Sequence, residues 1–242
     1  MPELSVHRKV GPLEPDIRAE YENFRGHGDQ AFGGLTFAQT GEDLIIANLF
    51  NQMGKRRPSY LDIGAHHPIR ISNTALLYLR GSRGVNVEAN PHLIGEFIRL
   101  RPGDVNVNIG VSDVAGEMTF YMIDEYSGRN TFDQTVAEAY VREHPKRSIR
   151  HRMSLKVTTI NTLVEEHCGG VFPDLLTIDV EGFDLRILKS ANFESSKPTV
   201  ISTEAKAATD FTGVGLSPFL QSKGYSMVFR THSNAIFLGE RA

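Results

Sequence analysis

The chain has 242 residues, enough for one large α/β domain with a real core. Its 26 Lys and Arg residues against 29 Asp and Glu leave a net charge of −3, so no broad cationic surface forms and nucleic acid is not an expected partner. The single cysteine, Cys168, rules out an internal disulfide, and no apolar run approaches the ~20 residues of a membrane helix, so a cytoplasmic protein without a membrane span is expected.

Residues 1–35 are polar and rich in proline and glycine, without the basic-then-apolar start of a signal peptide, and read as an N-terminal extension. From Thr36 the pattern changes, and a single domain is expected over 36–242. Leu44, Ile45, Ala47, Leu49 and Phe50 follow helical spacing behind Gly41-Glu42-Asp43, which predicts a helix over 39–50. Strands are expected at 59–64, 84–88 and 105–111, with helices at 73–79 and at 91–100, where Pro91 opens the first turn. Further on, 174–180 and 199–204 read as strands. Helices are expected at 183–189 and at 216–223, the latter closed by Gly224. Residues 225–230 and 234–238 read as a final antiparallel pair.

Strand–helix alternation of this kind specifies a doubly wound, mostly parallel sheet covered on both faces, with an antiparallel last strand. Such sheets bind ligands beyond the carboxyl ends of their strands, where the strand order reverses. One stretch breaks the alternation. Residues 117–123 and 154–159 alternate like strands and can pair as a hairpin. Between them, 124–153 is polar, with Arg129, Asn130 and the basic run from Lys146 to Arg152. An insertion of this length beside a binding edge is expected to act as a substrate lid.

Residues just past the strands carry the chemistry. In Asp62-Ile63-Gly64-Ala65 a buried strand ends on a glycine that lets the backbone turn toward a ligand. Glu88 ends the next strand, where an acid grips the hydroxyls of a nucleotide ribose. A dinucleotide site needs three glycines to seat its pyrophosphate, and this turn has one, which favours S-adenosylmethionine (SAM) over NAD. Asp179 and Glu181 end another buried strand before Gly182, and Glu204 closes the strand after it; all three are expected at the pocket. His66, His67 and His232 are candidate bases. A divalent ion, magnesium among others, is an open option at the carboxylates.

Taken in order, Gln39-Thr40-Gly41-Glu42-Asp43, Tyr60 to Pro68, Ser72-Asn73-Thr74 with Tyr78, Val87-Glu88-Ala89-Asn90-Pro91 and Thr177 to Gly182 resemble the FkbM family of SAM-dependent methyltransferases. The resemblance spans about 38–238. It implies a class I methyltransferase fold of Rossmann-like type, a seven-stranded sheet with a reversed last strand. It also implies O-methylation of a hydroxyl on a sugar or natural-product small molecule. On that analogy Asp62, Gly64, Ala65, Asn73 and Asp179 surround SAM, Glu88 holds its ribose, Asn90 follows at the adenosine, Ser112 and Asp113 sit by the adenine, and Gln39 and Asp43 close over the pocket. Asp179, Glu181, Glu204, His66 and His232 are then the candidate catalytic residues. An NAD-dependent oxidoreductase of Rossmann type, a non-catalytic SAM-binding protein and an RNA or protein methyltransferase remain the alternatives. The acceptor is expected to be a small molecule, and a homo-oligomer is open.

Overall fold

The structure, a computed structural model, describes residues 36–205, 215–231 and 233–240. The expected extension over 1–35, like His232, lies outside the described residues.

The elements alternate as the sequence pattern requires. Helix α1 (Glu42–Gln52) precedes β1 (Tyr60–Ile63), followed by α2 (Ala75–Leu79), β2 (Gly84–Val87), α3 (Ile94–Leu100) and β3 (Val105–Val107). After an excursion described below come β7 (Leu175–Ile178), α6 (Asp184–Ser190), β8 (Val200–Glu204), α7 (Leu216–Ser222), β9 (Tyr225–Arg230) and β10 (Asn234–Gly239). The seven strands form one sheet in the order β3-β2-β1-β7-β8-β10-β9. Neighbours from β3 to β8 are parallel, and β10 runs antiparallel to both β8 and β9. The last strand is therefore the reversed one.

Alternation along each strand sorts the side chains onto two buried faces. Leu61, Ile63, Leu176, Ile178 and Ile201 join one core with residues of α5 (Ile160–His167), α6 and α7. Tyr60, Leu175, Val200 and Ile236 face the other core, with Ile46 and Phe50 of α1 and Leu76 and Leu77 of α2. Asp62 and Thr177 are register partners on this second face, so their polar side chains lie under α2. That placement matters for the site.

The chain moves outward from β1 through β2 to β3, then returns to the other side of β1 with β7. The strand order thus reverses between β1 and β7, which opens a crevice at their carboxyl ends.

Three departures from the sequence reading have physical causes. The strand expected at 105–111 is two, because β4 (Gly110–Ser112) leaves the main sheet to pair with β6 (His151–Thr159). Strand β5 (Gly116–Met122) pairs antiparallel with β6, so the expected hairpin exists as part of a three-stranded sheet ordered β4-β6-β5. The polar segment 124–153 is not all loop. It contains α4 (Gln134–Glu143), capped by Asp133, whose carboxylate accepts the backbone N–H groups of Thr135 and Val136. Helix α5 was likewise not expected; the Thr159 hydroxyl caps it by accepting the Thr162 N–H.

Candidate active site

Two adjoining clefts open at the carboxyl ends of β1, β2 and β7. The inner one has an apolar side made by Ile109, Val111, Phe120 and Phe132 and a polar side with Glu88 and Asn90. The outer one is lined by Asp62, Asn73, Arg129 and Thr177 among others. Gly64, His66, Asp179 and Glu181 line both, so the clefts meet at the ends of β1 and β7.

Gly64 is required where it stands. Its φ is 78°, and a Cβ there would lie 2.0 Å from the backbone oxygen of Asp179. The N–H groups of Gly64 and Ala65 both donate to the Val87 carbonyl, and the Asp179 N–H donates to the Ile63 carbonyl. The three strand ends are thus sewn into one floor. His66 continues the turn with φ 54° and Glu181 sits at φ 50°, left-handed conformations that non-glycine residues adopt at a cost.

Glu88 is buried, and its carboxylate accepts two backbone donors, His66 N–H at 2.8 Å and Asn90 N–H at 2.7 Å. Burial nevertheless pushes its carboxyl up to about 7, with the two amide bonds pulling the other way. Asp62 is also buried. Burial raises it to about 6, opposed by a 2.6 Å hydrogen bond from the Thr74 hydroxyl. Burial thus moves both carboxyls toward neutral pH.

Glu181 is tied to the inserted segment. Arg129 Nη1 donates to both its carboxylate oxygens, at 2.7 and 2.9 Å, and the Thr131 hydroxyl donates to its carbonyl. Two further bonds hold the same segment: Asn90 Nδ2 donates to the Glu125 carbonyl, and His66 Nε2 meets the Tyr126 carbonyl at 3.1 Å. Residues 126–132 consequently line the clefts, whereas the basic run from Lys146 to Arg152 lines neither. Glu204, at the end of β8, joins Asp179 and Glu181; one oxygen from each lies within 4.8 Å of the others.

The remaining expected site residues divide cleanly. Ala65, Asn73 and Gln39 line the outer cleft, with Asn73 Nδ2 donating to the Thr177 hydroxyl. Asp43 does not reach either cleft. It is fully buried at the start of α1, accepting from the Thr36 hydroxyl and the Phe37 N–H, and so fixes its own loop. Ser112 and Asp113 also lie outside both clefts. Strand β4 has turned away into the small sheet, the Ser112 hydroxyl donates to Asp113, and Asp113 pairs with Arg186 of α6 at 2.7 Å. His67 is a loop staple: its Nδ1 accepts the N–H groups of Ile69 and Arg70, and burial lowers its pKa.

Sequence reasoning missed the apolar wall of Ile109, Val111, Phe120 and Phe132, because those residues come from two strands, β4 and β5, and two loops. It also passed over Thr74 and Arg129 as site residues. Their signals were present, a hydroxyl next to Asn73 and a cation in the insertion, but only the fold brings either beside a carboxylate.

The sheet order, the reversed β10 and the cleft at the switch point define a class I methyltransferase fold. The family model described as a methyltransferase FkbM domain matches residues 62–227, and the chain belongs to that family. No curated protein matches the chain. Among solved structures it is similar to a precorrin-6y C5,15-methyltransferase from Geobacter metallireducens GS-15, with 14% identity and a TM-score of 0.37 over 76% of this chain and 81% of that one. No helix among the described residues is long and apolar enough to cross a membrane.

Proposed function

We propose that the chain transfers a methyl group from SAM to a hydroxyl of a small molecule, a sugar or natural product. One observation carries this reading: Gly64, Glu88 and Asp179, from three different strand ends, line a single cleft. The donor set fits a cationic nucleoside. Glu88 offers lone pairs to ribose hydroxyls, the apolar wall of Ile109, Val111, Phe120 and Phe132 suits a flat base, and Asp62 and Asp179 offset positive charge. The turn after β1 carries one glycine, not the three that seat a pyrophosphate, which disfavours NAD.

SAM, when bound, supplies a methyl group on a positively charged sulfur, passed in line to the acceptor oxygen as the carbon–sulfur bond breaks. The protein mainly aligns the reactants, worth up to roughly 7–11 kcal/mol in favourable cases. A hydroxyl needs its proton removed as its oxygen attacks. We assign that proton to the Asp179 carboxylate, which lines both clefts; both oxygens of Glu181 hold Arg129. His66 positions the inserted segment through Tyr126. The oxygens of Asp179, Glu181 and Glu204 also suit magnesium, and activity after chelation tests that addition.

Calorimetric titration with SAM and, separately, with NAD tests the cofactor. Binding of SAM alone is expected. Binding of NAD alone would return the oxidoreductase reading, and SAM binding with no transfer to any extract component would return the non-catalytic one.

A further inference from the structure

Asp62 is not an isolated buried acid. Its Oδ2 accepts the Thr74 hydroxyl at 2.6 Å, and the same hydroxyl oxygen accepts Arg101 Nη2 at 2.9 Å. A guanidinium can only donate, so the Thr74 proton has one direction left and points at Asp62. Arg101, just past α3, is 1% exposed. Its Nη2 also donates to the Tyr60 hydroxyl at 3.2 Å, and its Nε faces Asp104 Oδ2 at 3.2 Å. Tyr60 donates in turn to Asp104 at 2.5 Å, and Asp104 accepts the Gly84 N–H and the Asn86 amide. The rings of Tyr60, Tyr78 and Phe97 surround the guanidinium at 5.2–5.7 Å. A full positive charge is thus buried behind β1, two hydrogen bonds from the cleft.

We propose that Thr74 and Arg101 are positioning residues that orient the Asp62 carboxylate toward a cationic ligand in the outer cleft. The ligand part rests on the SAM reading above; the orientation of Asp62 does not. The charged groups around Asp62 are Arg101 and Asp104 from the turn between α3 and β3, Glu88 from the end of β2, and Asp179 from the end of β7, which lines the same cleft. Burial raises Asp62, Thr74 and Arg101 pull it down, and Asp104 pushes it up again. The relay therefore sets how much of Asp62 is ionised near neutral pH.

The test is a carboxyl-carbon NMR titration of Asp62 in the ligand-free protein, for wild type, Thr74→Ser and Thr74→Val, paired with SAM titration of the same samples. Serine keeps the hydroxyl and valine removes it at similar volume. The Asp62 midpoint is expected to rise by about one pH unit in Thr74→Val and to stay near wild type in Thr74→Ser, with SAM affinity falling about twofold at pH 7 and nearly tenfold at pH 5 only in the valine variant. If Thr74→Val does not fold, Arg101→Lys takes its place, since lysine keeps the charge and loses the fork; its midpoint is expected to rise as well. An unmoved midpoint in the folded variant would overturn the relay. A moved midpoint with unchanged SAM affinity would overturn its role in binding. A wild-type protein that binds no SAM would overturn the cofactor reading instead, while the titration still decides the relay.

Discussion

The Glu88 carboxylate accepts the backbone N–H of His66 at 2.8 Å, so the end of β2 and the turn after β1 move as one surface. A second bond, from Asn90 N–H, fixes the other oxygen. Replacing Glu88 by alanine leaves two backbone donors without their acceptor and removes the grip on a ribose. SAM affinity is expected to fall roughly 10- to 100-fold, from the ~1.5–3 kcal/mol typical of a hydrogen bond to a charged group. Calorimetry on the variant checks this, with near-UV circular dichroism to confirm packing.

Gly64→Ala is expected to be among the most damaging single changes. The new Cβ would meet the Asp179 oxygen at 2.0 Å, and alanine resists a φ of 78°. Strain and overpacking together should cost about 3 kcal/mol or more. Thermal melting is expected to show a drop of several degrees.

Asp179→Asn keeps the shape of the side chain and removes its basicity. Turnover should fall about 10²- to 10⁴-fold with SAM affinity changed far less. Single-turnover kinetics separate the two effects. Full activity in the variant would move the proton to another group.

Arg129→Ala removes the ion pair that draws residues 126–132 onto Glu181, leaving the Thr131 hydroxyl bond. Faster proteolytic cleavage near 126–132 is expected, with a higher KM for the acceptor and little loss of overall stability. Limited proteolysis with and without SAM reads the first effect.

Asp62 and Glu88 should each cost the ligand-free protein stability as pH rises from about 4 to 7. Asp62 and Glu88 have folded pKa values near 6 and 7, above their ordinary values, so the folded state holds more protons than the unfolded one across that window. Stability then falls with increasing pH, by on the order of 1–3 kcal/mol per group at most. A bound cation at the cleft should offset the loss. Melting curves across pH, with and without SAM, test both statements.

Much of this fold is written in the sequence, because the buried parallel strands are short apolar runs ending in glycine or acid. Leu175-Leu176-Thr177-Ile178 and Tyr60-Leu61-Asp62-Ile63 are read without ambiguity, and their ends locate the site. The split between β3 and β4 was not legible, since Val105 to Val111 is one run of alternating residues and only pairing with β6 divides it. That one division carries Ser112 and Asp113 away from the clefts. Asp43 misled for a different reason: an acid at a helix start satisfies either a ligand or its own loop, and here the Phe37 N–H takes it. The burial of Arg101 depends on Thr74, Tyr60 and Asp104, which the fold brings to it.

The central claim, methyl transfer to oxygen from a donor seated between Glu88 and Asp179, is tested most directly with methyl-labelled SAM. Wild-type protein and Asp179→Asn are incubated with labelled SAM and a small-molecule extract, and the labelled product is isolated and its new bond identified. Label on the oxygen of a sugar or natural-product hydroxyl, with the signal largely lost in Asp179→Asn, is the expected result. Label on nitrogen or carbon, equal labelling by the variant, or no transfer from a SAM-bound protein would contradict it.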